Sequence, residues 1–300
     1  MIDHNKSSVY IIEAKNIEEH FHITKDFTVN AVNGISFGIK RGEIFGLVGE
    51  SGCGKSTVAK LLSGIYKPSG GEVYFDGIKV SGKDGDKNQI KRMKHDCQMI
   101  FQDSAAALNP RMTVKRIILE PLRIQKKNFT SEEGFSLVRE ALHQVGLSEE
   151  YMEKIPSEMS GGQRQRVAIA RSLMLNPNLI IADEPIAALD ISIQAQIVTL
   201  FKELQKKKNF AFLFIAHDIA VVRFISDRTG VMLGGKLVEV GKTEDIFANP
   251  AHPYTKALLS AIHVPDPLFE RNKKVLTYDR STSLGDKYLD LGDEHLVLDF

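Results

Sequence analysis

IFGLVGESGCGKSTVAKLLSG, Ile44 to Gly64, is the stretch whose reading decides the fold. Its first five residues, IFGLV, are apolar without alternation, which suits a strand buried on both faces of a parallel sheet. Gly49 to Ser56 then reads GESGCGKS, fits the pattern G-x-x-x-x-G-K-[ST], and runs into an apolar helix ending near Gly64. Strand, glycine-rich loop and helix in that order make a cradle for phosphates. Gly49, Gly52 and Gly54 let backbone N–H groups turn inward, and the helix start adds about half a positive charge. A nucleotide site is therefore expected along Gly49, Glu50, Ser51, Gly52, Cys53, Gly54, Lys55, Ser56 and Thr57. Lys55 is expected to bridge the β and γ phosphates and Ser56 to hold Mg²⁺. Cys53 reads as a small side chain filling the loop.

Two more runs share the unbroken apolar character, LIIA from Leu179 to Ala182 and FAFLFIA from Phe210 to Ala216. Each ends in polar residues, Asp183-Glu184 after the first and His217-Asp218 after the second. Ligands of open parallel sheets gather at the carboxyl ends of the strands, so these residues face the same place as the glycine-rich loop. Asp183 is expected to hold Mg²⁺ through water. Glu184 leaves the strand in a different direction and can orient and deprotonate an attacking water. Taken alone, an Asp-Glu pair after a strand is a solvated turn; the phosphate loop upstream turns the reading to chemistry.

Further out, Gly34 to Ile39, Gly71 to Asp76, VML and KLVEV read as short strands, the last two joined by a Gly234-Gly235 hairpin turn. From about Gln102 to Leu175 the pattern turns helical. Phe135, Val138, Leu142 and Val145 are expected on one buried face, opened by a Thr130/Glu133 capping box and closed at Gly146. HPYTKALLSAIHVPDP is a short helix bounded by prolines, and the polar, acidic tail after it carries no assignable pattern.

Across the 300 residues, 39 Lys+Arg against 38 Asp+Glu leave a net charge of +1, so no global field favours nucleic acid or anionic lipid. Two cysteines, Cys53 and Cys97, cannot build a disulfide framework or a four-cysteine metal site within the chain. The opening MIDHNKSSVY lacks the apolar core of a secretory signal, and FAFLFIA is far below the roughly 20 residues of a spanning helix. A role at a membrane would have to run through other subunits.

MSGGQRQR, Met159 to Arg166, resembles the signature motif of ABC ATPases, and the other motifs fall in that family's order. Gln102 in MIFQD resembles the Q-loop glutamine, DEPIAALD the Walker B acids and the D-loop ending at Asp190, and His217 in FIAHD the switch histidine. The resemblance runs from about Val9 to Pro267. It implies an α/β fold: an ABC-type P-loop ATPase with a mixed, largely parallel core sheet, an N-terminal antiparallel β subdomain and a helical subdomain insertion. On that plan residues 1–101 hold the β subdomain and the first part of the core, and 102–175 the helical subdomain. Residues 176–248 complete the core, and 249–300 form a C-terminal extension. FQDSAAALNPRMTV and HPYTKALLSAIHVPDP resemble the ATP-binding subunits of bacterial oligopeptide and dipeptide importers, in particular the second of their two ATPases.

Read alone, Ser160 caps a helix whose first residues, Gly161, Gly162 and Gln163, offer free N–H groups to an anion. The family resemblance implies two cassettes paired head to tail, each covering with Ser160 and Gly162 the ATP held by the other. It further implies that Gln102 touches the metal and the helical insertion, that His217 touches the γ-phosphate, and that an aromatic near Phe27 stacks on adenine. The implied partners are a second ATPase, two membrane permeases and an extracytoplasmic solute-binding protein, with the chain peripheral on the cytoplasmic face and no nucleic acid. Met159 stands where leucine is usual and Ala187 where small polar residues are common. Peptide-importer ATPases often carry cysteines in the extension; none follows Cys97 here, so no iron-sulfur site is expected. Related importers also carry nickel or oligosaccharides. A soluble ABC ATPase acting on ribosomes or DNA is the alternative, disfavoured by the single compact cassette without a heptad run.

Overall fold

The computed structural model describes residues 8–24, 27–103, 107–262, 273–279 and 284–300. Four stretches read above, 1–7, 25–26, 104–106 and 263–267, lie outside the described residues. The chain opens with a long antiparallel hairpin, β1 (Tyr10–His22) and β2 (Thr28–Lys40), of which only the second half of β2 was legible in the sequence. β3 (Ile44–Gly49) leads through the glycine-rich loop into α1 (Lys55–Leu62). β4 (Gly70–Phe75) and β5 (Ile78–Lys79) pair onto the hairpin as one antiparallel sheet in the order β2-β1-β4-β5. α2 (Lys87–Asp96) runs into β6 (Cys97–Ile100), after which come α3 (Val114–Ile124), α4 (Ser131–Gln144) and α5 (Gly161–Leu173). The core resumes with β7 (Leu179–Asp183), α6 (Ile191–Lys208), β8 (Ala211–Ile215), α7 (Ile219–Ile225), β9 (Arg228–Leu233) and β10 (Lys236–Lys242). α8 (Thr243–Ala248), α9 (Pro253–Ser260), β11 (Tyr288–Asp290) and β12 (Leu296–Leu298) close it.

The core sheet has the order β11-β12-β10-β9-β3-β8-β7-β6, with β9, β3, β8, β7 and β6 parallel to one another. The reason its central strands read as unbroken apolar runs is visible in their alternation. Phe45 and Leu47 of β3 pack toward the antiparallel sheet and α1, together with Leu213 and Ile215 of β8. Ile44 and Val48 pack toward the helices on the other face, with Phe212 and Phe214. Both faces are dry, so no polar position interrupts the strand. All the strands that carry the expected chemistry therefore end on one edge of one sheet, and the helical block from α3 to α5 is inserted between β6 and β7 beside that edge.

The insertion folds as its sequence punctuation directs, with one correction. The Thr130 hydroxyl accepts the Glu133 N–H at 3.2 Å and the Glu133 carboxylate accepts the Thr130 N–H at 2.6 Å, the expected capping box. Val138, Leu142 and Val145 are fully buried, but Phe135 is 42% exposed and lies under the Lys115 ammonium. Gly134 takes the buried position instead: a side chain there would begin 3.1 Å from the Phe129 ring, so close approach of the backbone turns Phe135 outward.

The unassigned tail has a structure. β12 pairs antiparallel with β10 and β11 with β12, covering what would otherwise be an exposed sheet edge. The Tyr288 hydroxyl donates to the Leu237 carbonyl at 2.7 Å. Glu239, fully buried on β10, is satisfied by His295 Nε2 at 2.8 Å and by the N–H groups of Ala251 at 2.7 Å and His252 at 3.0 Å. A buried carboxylate needs such partners, and here they tie α9 and the tail to the core sheet.

Candidate functional site

The glycine-rich loop is pressed between the backbones of β2 and β9. Gly54 sits at φ 106°, and a Cβ on it would lie 2.1 Å from the Ala31 carbonyl oxygen. A Cβ on Gly49 would lie 2.3 Å from that of Met232. Neither position admits a larger residue, so the loop is held in a tight ring. Inside the ring Lys55 is 4% exposed, and its ammonium donates to the carbonyls of Gly49 at 2.8 Å and Glu50 at 2.9 Å. Cys53 is buried with its sulfur 3.8 Å from the same nitrogen, the packing role read from the sequence; burial raises its thiol pKa, opposed by Lys55. Ser56, at the first turn of α1, donates its hydroxyl to Asp183 Oδ1 at 2.9 Å.

Three other segments meet at Glu184. Its Oε2 accepts the Gln102 side-chain amide at 2.8 Å and lies 3.8 Å from His217 Nδ1. These residues follow β6, β7 and β8, so adjacent parallel strands deliver all three to one point. Glu184 has φ 45°, a left-handed conformation uncommon for a residue with a side chain, and its N–H donates to the Ile215 carbonyl at 3.0 Å. Strain of this kind concentrates at functional positions held by their surroundings.

Burial is the main cause that raises the Asp183 carboxyl above the usual range; the Ser56 hydrogen bond opposes it and the Glu184 charge adds to it. A raised native pKa stabilises the fold only below the ordinary carboxylate range and is lost as pH rises through the native value, so the ionised group is a cost at neutral pH. Asp183→Asn, which keeps an acceptor for Ser56, is expected to raise the melting temperature of the nucleotide-free chain at pH 7 by roughly 2–4 °C. Thermal denaturation without Mg²⁺ checks this, and the gain should shrink as the pH is lowered toward 5. A lower melting temperature at pH 7 would contradict the desolvation argument.

Ser160, Gly161, Gly162 and Gln163 open α5 elsewhere on the surface. The Ser160 hydroxyl accepts the Gln163 N–H at 3.3 Å, and Gln163 Oε1 accepts the Ser160 N–H at 2.9 Å. Gln163 also donates to the Tyr151 hydroxyl at 2.8 Å; neither residue bonds to Lys55 or Ser56. Asp190 caps α6 by accepting the Ile193 N–H at 3.0 Å, and the two helix starts lie side by side, since a Cβ on Gly162 would come within 2.7 Å of Ile193. Phe27, 57% exposed, stands just before β2, four residues before Ala31, with its carbonyl accepting from the N–H groups of Ile23 and Thr24. Among the described residues, then, no hydrogen bond joins the signature segment to Lys55 or Ser56.

One contact escaped the sequence reading. The Tyr254 hydroxyl accepts the Glu50 N–H at 3.2 Å, bringing α9 onto the phosphate loop across 204 residues of chain. HPYT stood out as a motif, but no spacing rule connects it to a loop so far away.

Residues 32–187, just over half of the chain, match the family model described as ABC transporter. The chain belongs to the ABC transporter family. Residues 238–281 match the model for the oligopeptide/dipeptide transporter C-terminal region. The cassette is 52% identical to the oligopeptide transport ATP-binding protein OppF of Bacillus subtilis over 90% of this chain and 88% of that protein. It is 45% identical to the dipeptide transport ATP-binding protein DppF of Lactococcus lactis over 91% and 88%. Among solved structures, the ATP-binding cassette MJ0796, a dimer in a post-hydrolysis state bound to ADP and Pi, aligns with TM-score 0.69 and 31% identity over 77% of this chain and 98% of its own. The cassette is thus an ATP-binding and ATP-hydrolysing enzyme of the ABC fold, and the α/β architecture expected from the motifs is the one observed.

Proposed function

We propose that this ABC cassette powers the import of oligopeptides or dipeptides, pairing head to tail with a second cassette beneath two membrane permeases that receive cargo from an extracytoplasmic binding protein. The observation that carries the catalytic reading is the meeting of Gln102, Glu184 and His217 beside the Ser56–Asp183 pair. In that reading Lys55 leaves its two loop carbonyls for the β and γ phosphates of ATP. Glu184 takes the proton of the attacking water, while Gln102 and His217 hold its carboxylate and sense the γ-phosphate. Phe27 offers a ring to the adenine, and Ser160 with Gly162 covers the nucleotide of the opposite cassette. The reading is supported by the exposed N-terminus of α5, capped by Ser160 and prepared to receive an anion.

Mg²⁺ fits the oxygen donors present. The Ser56 hydroxyl and Asp183 carboxylate lie 2.9 Å apart, and Mg²⁺ is held by one or two protein oxygens plus phosphate and water rather than by a protein cage. Once bound it neutralises charge on the phosphates and relieves the desolvated Asp183. Seating on the cytoplasmic face follows from the same reading; among the described residues no helix is long and apolar enough to cross a membrane.

The peptide cargo rests on the extension and on the names of the relatives. Its test is reconstitution into vesicles with cognate permeases and a second ATPase. Uptake of labelled short peptides that requires ATP is the expected result. ATP-driven uptake of nickel or an oligosaccharide with no peptide uptake would overturn the cargo and leave the motor standing.

A further inference from the structure

The phosphate loop is braced from a direction that the ABC motifs do not cover. Glu50 is its second residue, and the N–H of Glu50 points out of the ring to the Tyr254 hydroxyl. Tyr254 is 3% exposed, so this hydroxyl is not a surface group that happens to lie nearby. It is held there by a continuous set of contacts. Glu239 on β10 accepts the N–H groups of Ala251 and His252, fixing the entry to α9. His252 Nδ1 then accepts the Tyr254 N–H at 3.1 Å, setting the first turn. The Tyr278 ring packs edge-on against Tyr254 at 5.6 Å, and Phe300 packs against His252 at 4.9 Å.

In the nucleotide-free chain the Cys53 N–H also donates to the Glu50 carbonyl at 3.3 Å, beside two bonds from Lys55 to the carbonyls of Gly49 and Glu50. Both Lys55 bonds must break when Lys55 turns to phosphate. The Tyr254 bond uses the N–H on the outer side, so it need not break with them. Without it fewer empty chains hold the loop in the shape that phosphate needs, and the apparent affinity falls with that fraction. We infer that Tyr254 is a positioning residue for ATP binding, through which α9 and the C-terminal tail set the shape of the phosphate loop. The inference rests on the assignment of Gly49–Ser56 as the ATP site.

Calorimetric titration of the full chain with Mg-ATP tests it, using Tyr254→Phe, which removes one oxygen and keeps the ring. Losing the partner of this half-buried N–H is expected to weaken ATP binding about three- to tenfold. The melting temperature without nucleotide should stay within about 2 °C of wild type. In the assembly that hydrolyses ATP, KM should rise by the same factor with kcat held within about twofold, the pattern of lost ground-state binding. Tyr278→Phe is the control, since that hydroxyl has no hydrogen-bond partner among the described residues; its affinity should match wild type. Unchanged affinity in Tyr254→Phe, or equal weakening in Tyr278→Phe, overturns the inference while the ATP site stands. Failure of the wild-type chain to bind Mg-ATP removes the site itself.

Discussion

Glu184→Gln is expected to retain ATP binding while turnover falls by roughly 10²- to 10⁴-fold, the range of a lost general base. The geometry makes this a clean substitution. Glutamine keeps an oxygen to accept the Gln102 amide now bonded to Glu184 at 2.8 Å, and it fills the same volume at the same left-handed backbone position. What it cannot do is take a proton. The prediction has a second part: without hydrolysis the ATP-bound pair of cassettes should persist, so an ATP-dependent increase in assembled species should appear on size exclusion. Single-turnover hydrolysis and nucleotide binding measured together check it, and turnover within tenfold of wild type would remove Glu184 from its role.

Ser160→Arg, made in the Glu184→Gln background, is expected to abolish that ATP-dependent pairing while each chain still binds ATP at its own loop. The arginine puts a long side chain where the N-terminus of α5 must approach phosphate. Made alone, it should lower turnover of the paired assembly by roughly 10²- to 10³-fold, the scale of losing one donor at a developing charge. Ser160→Ala separates this effect from folding. In the unpaired chain it loses only the cap on Gln163, worth about 1 kcal/mol. Persistence of the ATP-dependent pair in the arginine double variant would show that the two cassettes do not meet through the signature segment.

The contrast between these two residues follows from where their partners lie. Glu184 is bonded within its own chain to a residue 82 positions away, and the parallel order of β6, β7 and β8 explains the meeting. The hydrogen bonds of Ser160 among the described residues lie within its own helix, to Gln163 and Arg164. In the proposed reading the use of Ser160 requires another molecule; the solved relative MJ0796 is itself dimeric.

Local interactions were legible in the sequence because they involve few residues at fixed offsets. The strand, loop and helix around GESGCGKS, the Thr130/Glu133 box and the cap at Ser160 are of this kind, each closed within a span of a few residues. Unbroken apolar runs likewise announced strands buried on both faces. Three features needed the tertiary structure. Phe135 faces solvent because Gly134 admits a neighbouring ring, a matter of helix packing distance rather than periodicity. The tail joins the core sheet because Glu239 and the edge of β10 needed partners, which no pattern inside the tail records. Tyr254 reaches Glu50 because α9 folds back across the sheet. In each case the deciding term is the satisfaction or exclusion of a group far away in sequence, and only the folded chain sets that distance.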